Sequence, residues 1–275
     1  GKVYHLKVHE VPDAGRTAKG VPIVNVINIQ PDETVTTLMR IKDFSAANFL
    51  FFTTRLGRVK RVNLSQFQSV RASGLIAIGL EPADELAWVR MTNGDQDVIL
   101  ITEKGQAIRF HETDARAMGR PAAGVTGIRL APKDRVIAFE VCGEDCDVLV
   151  IAARGLGKRT QTSLYPRQGR GGKGVQAMKL TSRTGDIVAA GMVKQDDTVM
   201  MMSNTGIVIR IPASQISRIG RATQGVTLMR LGENEQVVTM TIIEPKDESP
   251  DPMNALDGMN EHELSPASVN GTSPE

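Results

Sequence analysis

The chain has 275 residues and a formal net charge of +2, with 41% hydrophobic residues, 4% aromatic residues and two cysteines. Val, Ile, Leu and Met must therefore fill the core, and two cysteines exclude a disulfide-stapled scaffold. No apolar stretch approaches membrane-spanning length and no leader pattern opens the chain, so the expectation is a cytoplasmic protein away from membranes.

In chain order, the same apolar run recurs, each time leading into a glycine and then a basic strand. The runs are FLFFTTRLGRVKRV, VILITEKGQAIRF, VLVIAARGLGKRT and VMMMSNTGIVIRI, centred on Gly57, Gly105, Gly155 and Gly206. Four residues after each glycine stands an arginine: Arg61, Arg109, Arg159 and Arg210. Gly1 with KVYHLKV occupies the same place, with His5 where the arginine would be. The runs are too short for free-standing helices and are bounded by Gly, Asn and Asp, which predicts hairpins with buried strands at Phe49–Phe52, Val98–Ile101, Val148–Ile151 and Val199–Met202. The Met200-Met201-Met202 run reads as strand core rather than a metal or redox site.

A second marker keeps phase with the first. Gly20, Gly74, Gly124, Gly174 and Gly225 are spaced 54, 50, 50 and 51 residues apart. Arg16, Arg120, Arg170 and Arg221 each lie four residues before such a glycine, and Arg71 three before. The fourth copy, Gln168-Gly169-Arg170-Gly171-Gly172-Lys173-Gly174, preceded by Arg167, is the richest in glycine and cations. Glycine allows close backbone approach, so this loop can turn both N–H groups and cations toward phosphate. Behind each loop comes a strand–turn–strand segment, such as VTGIRLAPKDRV or VTLMRLGENEQVV. A period near 50 with about four short strands per unit predicts a radial or stacked all-β array over residues 1–245.

Residues 246–275 hold one lysine against seven acids, a net of −6, which leaves +8 on residues 1–245. Few apolar residues accompany them, so this acidic tail is expected to be disordered. A basic body with an acidic tail points to a polyanion-binding surface and a segment that competes for it.

Chemistry is harder to find. The histidines, His5, His9, His111 and His262, do not cluster. Asp32-Glu33 and Asp84-Glu85 repeat as turn residues, and Cys142 and Cys146 read as reduced thiols in a hairpin loop. The Gly155–Thr160 and Gly172–Val175 stretches lack the hydroxyl after lysine that a nucleotide loop requires. No catalytic residue and no metal site is assigned.

At the glycine-rich loop and its repeats the chain resembles the C-terminal domain of the A subunit of bacterial DNA gyrase. The family's basic heptad, Gln-basic-Arg-Gly-Gly-basic-Gly, is matched by Gln168, Arg170, Gly171, Gly172, Lys173 and Gly174, while Gly169 stands where the family has a cation. The resemblance spans residues 1–245. It implies a β-pinwheel, a propeller-like array of about five four-stranded blades with strand exchange between blades. It also implies duplex DNA wrapped around a basic rim, in an A2B2 heterotetramer that joins the remaining A subunit to the B subunit. ATP and magnesium belong to that holoenzyme, with none expected here, and the setting is the bacterial nucleoid.

The principal heptad is expected upstream of Gly1, the first blade is expected to be incomplete, and residues 1–20 are expected to exchange hydrogen fastest. Related readings stay open: the C-terminal domain of the topoisomerase IV A subunit, which bends DNA for decatenation, or a non-catalytic propeller-like interaction module. The rim cations expected to meet DNA are Arg16, Lys19, Arg58, Lys60, Arg61, Arg109, Arg120, Lys158, Arg159, Arg210, Arg218 and Arg221, led by Arg167, Arg170 and Lys173.

Overall fold

The computed structural model describes residues 1–15, 17–44 and 48–245. Arg16 and the tail at 246–275, on which two expectations fall, lie outside the described residues. The compact unit runs from Gly1 to Ile243.

Strands are β1 (Lys2–Val3), β2 (Phe49–Thr54), β3 (Arg58–Asn63), β4 (Leu75–Ile76), β5 (Leu86–Thr92), β6 (Asp97–Thr102), β7 (Gln106–His111) and β8 (Val125–Thr126). They continue as β9 (Val136–Val141), β10 (Asp147–Ala152), β11 (Leu156–Gln161), β12 (Val175–Gln176), β13 (Ile187–Val193), β14 (Thr198–Ser203), β15 (Val208–Pro212), β16 (Val226–Thr227) and β17 (Val237–Ile243). Among the described residues the helical elements are single 3-10 turns, such as Leu64–Phe67 and Glu112–Asp114.

Among the described residues three sheets have four strands, in the orders β5-β2-β3-β8, β9-β6-β7-β12 and β13-β10-β11-β16. In each, three strands come from one repeat and the two-residue fourth strand comes from the repeat that follows. A blade is therefore not one repeat, and each blade is closed by its successor. In the last repeat β15-β14-β17 form a three-stranded sheet, and at the start β1 pairs with β4. The named strands pair antiparallel, and the same bulge recurs at Thr53/Thr54, Ile101/Thr102, Ile151/Ala152 and Met202/Ser203.

The core explains the apolar runs. Four clusters form, each drawing side chains from two successive sheets, as where Ile99 and Ile101 of β6 meet Val148, Val150 and Ala152 of β10. Alternate residues of one strand thus enter different clusters: Leu149 and Ile151 pack instead with Val199 and Met201 of β14. Every residue of β10 is buried because both faces of its sheet are covered. The Val199–Met202 run departs from the expectation: Val199 and Met201 are buried, but Met202 is exposed. Among the described residues no sheet follows to cover that second face.

The hairpin glycines lock this stacking. Gly155 sits at φ +78°, and a Cβ there would come within 2.2 Å of Met229 O in the next repeat. The chain has left-handed backbone and no spare room at that place, so only glycine fits. Gly206, the equivalent in the last repeat, has the same sign of φ but nothing within 4 Å.

Candidate nucleic-acid interface

Each glycine-rich loop lies across the hairpin of the preceding repeat. Gly124, Gly174 and Gly225 all have positive φ, and a Cβ at each would meet a carbonyl of β3, β7 or β11: Val59 O at 2.5 Å, Ala107 O at 2.3 Å and Gly157 O at 2.7 Å. The loop then rests on the segment just after the preceding short strand. Gly171 N donates to Gly127 O, Arg129 N donates to Gly172 O at 2.8 Å, and one repeat on Lys179 N donates to Thr223 O at 3.0 Å.

The loop arginines are anchors as well as cations. Arg170 donates from Nε to Asp114 O at 2.8 Å and from a guanidinium nitrogen to Thr126 O at 3.1 Å. Arg120 reaches Gln66 O, and Arg221 reaches Gln176 O while lying over the Tyr165 ring. All three stitch one repeat to the one before it. Lys173 is different: it is exposed and has no hydrogen-bond or ion-pair partner among the described residues.

The hairpin cations overturn part of the sequence reading. Lys60 and Lys158, expected on the rim, are fully buried. Lys60 Nζ donates to Ala77 O and Arg120 O; Lys158 Nζ donates to Gly220 O and Arg221 O. Burial pushes both ammonium groups down to about 8. The physical reason for the error is two-sided burial, since a blade between two others has no polar face on which a strand cation can be displayed.

Three of the four arginines after the hairpin glycines also turn inward. Arg61 and Arg159 are buried, pairing with Glu112 and Asp147; Arg109, half-buried, pairs with Asp97. Arg109 and Arg159 donate onward to Tyr165 O and Ile216 O of the following repeat. Backbone bonds from Met118, Gln168 and Ile219 to the carbonyls of Arg61, Arg109 and Arg159 complete the same joint. These three arginines hold blades together. Glu112, which the sequence did not single out, is fully buried and accepts from Thr92, Gly94 N, Gln96 N and Arg61.

Other expected rim cations do reach the surface, several with partners. Arg167 pairs with Asp97, Arg218 with Asp147 and Arg58 with Glu81. Arg210 and Lys19 are exposed, Gln168 is half-buried, and Gly171, Gly172 and Gly174 shape the loop.

A third set went unnoticed in the sequence. Arg129, Lys179 and Arg230 each lie five residues after a loop glycine, are exposed, and have no side-chain partner among the described residues. Through the backbone bonds above, Arg129 borders the loop carrying Arg170 and Lys173, and Lys179 borders the loop carrying Arg221. Cations thus follow one another from repeat to repeat. The signal was the basic residue in GIRL, AMKL and LMRL, which strand–turn–strand patterning had absorbed. Such an array offers a polyanion several charge contacts in sequence and no reactive constellation. Among the described residues no group of three or more His, Cys, Asp and Glu converges as a metal site, and no helix is long and apolar enough to cross a membrane.

Known proteins share this arrangement. The family described as DNA gyrase C-terminal domain, beta-propeller, matches residues 1–42, 48–93, 96–142, 147–194 and 197–244. The DNA gyrase A subunit of Halalkalibacterium halodurans is 55% identical over 251 residues, 91% of this chain and 30% of that protein. The corresponding gyrase protein from Clostridium acetobutylicum is 44% identical over 247 residues, 90% of this chain and 30% of its own length. The chain thus spans about 30% of the length of these relatives. A solved C-terminal domain of DNA topoisomerase IV superposes with a TM-score of 0.81 at 26% identity, covering 92% of this chain and 80% of that one. A solved DNA gyrase A C-terminal domain gives 0.75 at 26% identity, covering 89% and 80%. Five matched units in register with the repeats, and all-β architecture shared with both solved domains, place the chain in the DNA gyrase C-terminal domain, beta-propeller, family.

Proposed function

We propose that this chain binds duplex DNA and wraps it along the line of exposed cations, as part of a DNA gyrase A subunit. In that reading the whole enzyme is an A2B2 assembly with the B subunit. It introduces negative supercoils by ATP hydrolysis in the bacterial nucleoid, and both the strand-cleaving and ATP-hydrolysing groups lie outside these residues.

The observation that carries the reading is the repeat-to-repeat succession of unpartnered cations: Arg129, Lys173, Lys179 and Arg230. Turning about 40 base pairs through half a circle costs roughly 10 kcal/mol by the elastic estimate, more than a single phosphate contact supplies. A succession of contacts releases counterions at every step and meets phosphates rather than base edges, so binding is largely blind to sequence. Relatives at 44–55% identity carry the gyrase name, which supports gyrase over topoisomerase IV.

The test is to relax a closed circular plasmid with a topoisomerase in the presence of the 275-residue chain. Wrapping predicts a change in linking number that grows with the amount of chain bound. Binding of a linear duplex should weaken with salt. Replacing Arg129, Lys179 and Arg230 by alanine should lower the slope of log K against log[salt] by about 0.9 for each phosphate no longer neutralised. Binding without any linking change would reject wrapping. Binding indifferent to salt would reject the rim altogether.

A further inference from the structure

In the first four repeats the position three residues after the hairpin glycine lies beneath the loop of the following repeat. It is occupied in turn by Tyr4, Lys60, Ile108 and Lys158. Tyr4 ring atoms come within 2.7 Å of a Cβ built at Gly74, and Ile108 Cδ1 within 3.6 Å of one at Gly172. Lys60 and Lys158 go further and bond the loop's own carbonyls, those of Arg120, Gly220 and Arg221.

Ile108 is fully buried in the same place, so the fold accepts an aliphatic residue there. Burying an ammonium group is costly unless something else compensates, and neither lysine has an acidic partner among the described residues. The charged and titratable groups near Lys60 are few: Arg120, whose guanidinium turns away to Gln66 O, with the Phe52 ring at 5.8 Å. Near Lys158 are Arg221, turned to Gln176 O, and Tyr165, whose hydroxyl is pushed up to about 12 by burial and so stays neutral. Arg159 on the same strand is neutralised by Asp147.

Each lysine therefore adds an unneutralised charge directly under a loop and gives that loop's backbone a fixed seat. A loop held from beneath keeps its arginine at one place on the surface, where it can meet phosphate without first being ordered.

We propose that Lys60 and Lys158 are positioning residues for DNA binding: each ties the basic loop of the next repeat, 119–124 or 219–225, to the blade beneath it and adds a buried positive charge under the phosphate path. This rests on the DNA-binding reading above. It separates these two loops from the 168–174 loop, which sits on Ile108 and has the arginine tie, Arg170, without a lysine beneath it.

The experiment compares the full chain with the double variant Lys60→Met, Lys158→Met, by hydrogen exchange and by titration with a duplex of about 40 base pairs at pH 7.5 and 9.5. Amides of 119–124 and 219–225 should exchange about tenfold faster in the variant, with 168–174 unchanged, and Kd at pH 7.5 should rise about three- to tenfold. Unsubstituted chain should lose duplex affinity from pH 7.5 to 9.5 as the two lysines give up their protons, and the variant should lack that component. Loops that exchange alike in both proteins, with parallel pH profiles, would overturn the proposal.

If the variant does not fold, the unsubstituted chain still decides. Corrected for intrinsic exchange, its 119–124 and 219–225 loops should gain protection relative to 168–174 as pH rises through 8, because opening either loop frees its lysine to regain a proton, and equal protection overturns the proposal. A chain that fails to bind duplex at either pH refutes the DNA-binding reading, while the exchange data still judge the seats separately.

Discussion

The loops at 119–124 and 219–225 and the loop at 168–174 occupy the same place in successive repeats and share a loop arginine that reaches the preceding repeat, but they differ in what lies beneath them. In the first two a buried lysine reaches up to carbonyls of the loop. In the third an isoleucine lies beneath, and the loop's own Arg170 reaches across to Asp114 and Thr126 of the preceding repeat. Arg120 and Arg221 make a matching reach, to Gln66 and Gln176, so the buried lysine is a second tie added to one that all three loops share. The 168–174 loop also carries the unpartnered cation Lys173, where Ala123 and Gln224 stand in the other two loops.

The largest effect tests what all three loops share. Gly174→Ala would place a methyl 2.3 Å from Ala107 O on a backbone with φ +76°. It should cost about 3 kcal/mol or more in chemical unfolding, because the obstacle is backbone and cannot turn aside. Gly206→Ala, with φ +86° but nothing within 4 Å, should cost only the left-handed penalty of about 1–2 kcal/mol. Equal costs would mean that loop-to-hairpin contact does not hold the blades.

Arg170→Ala tests the arginine tie in the loop that lacks a lysine beneath it. It removes two charge-assisted bonds, so amides of 168–174 should exchange about tenfold faster while 119–124 and 219–225 keep their protection. Duplex affinity should fall about threefold or more.

A third prediction concerns alkaline stability. The lysine pKa values lie at about 8 in the folded chain, below the ordinary value of 10.5. Between these values the unfolded chain binds more protons than the native one, so the unfolding free energy contributed by Lys60 and Lys158 rises with pH. That contribution is complete above about 10.5 and is lost as pH falls through about 8. Denaturant titrations should show the rise in the unsubstituted chain and not in the Lys60→Met, Lys158→Met variant. Stability would then rise over the range in which DNA affinity falls, a divergence that general loosening of the fold cannot produce.

The smallest effect is Lys173→Ala. With no partner to lose, it should leave stability and loop exchange unchanged and lower the salt slope by about 0.9 if the side chain neutralises one phosphate. An unaltered slope would mean that the 168–174 loop contributes through its backbone and Arg170 alone.

Much of this was legible before the structure. The period of about 50, the hairpin glycines and the apolar runs all follow from residue spacing, because each must recur wherever one sheet stacks on the next. The strand cations were misread for a physical reason. Arg58-Val59-Lys60-Arg61-Val62 looks like a half-exposed strand with charges outside, and that inference holds only if one face of the sheet meets water. Here Val59 packs with Phe51 toward the third repeat, Val62 packs with Leu50 toward the first, and Lys60 and Arg61 are enclosed with them.

The sequence by itself determined the repeat, the β class, the glycine positions and the loop that carries the family's heptad, since these depend on local conformation and periodic burial. Only the tertiary structure decided which cations face solvent. That choice depends on carbonyls and carboxylates supplied by another repeat, such as Arg120 O for Lys60 or Asp97 for Arg167. A cation goes inside where such acceptors converge and stays outside where they do not, and no local pattern encodes that convergence.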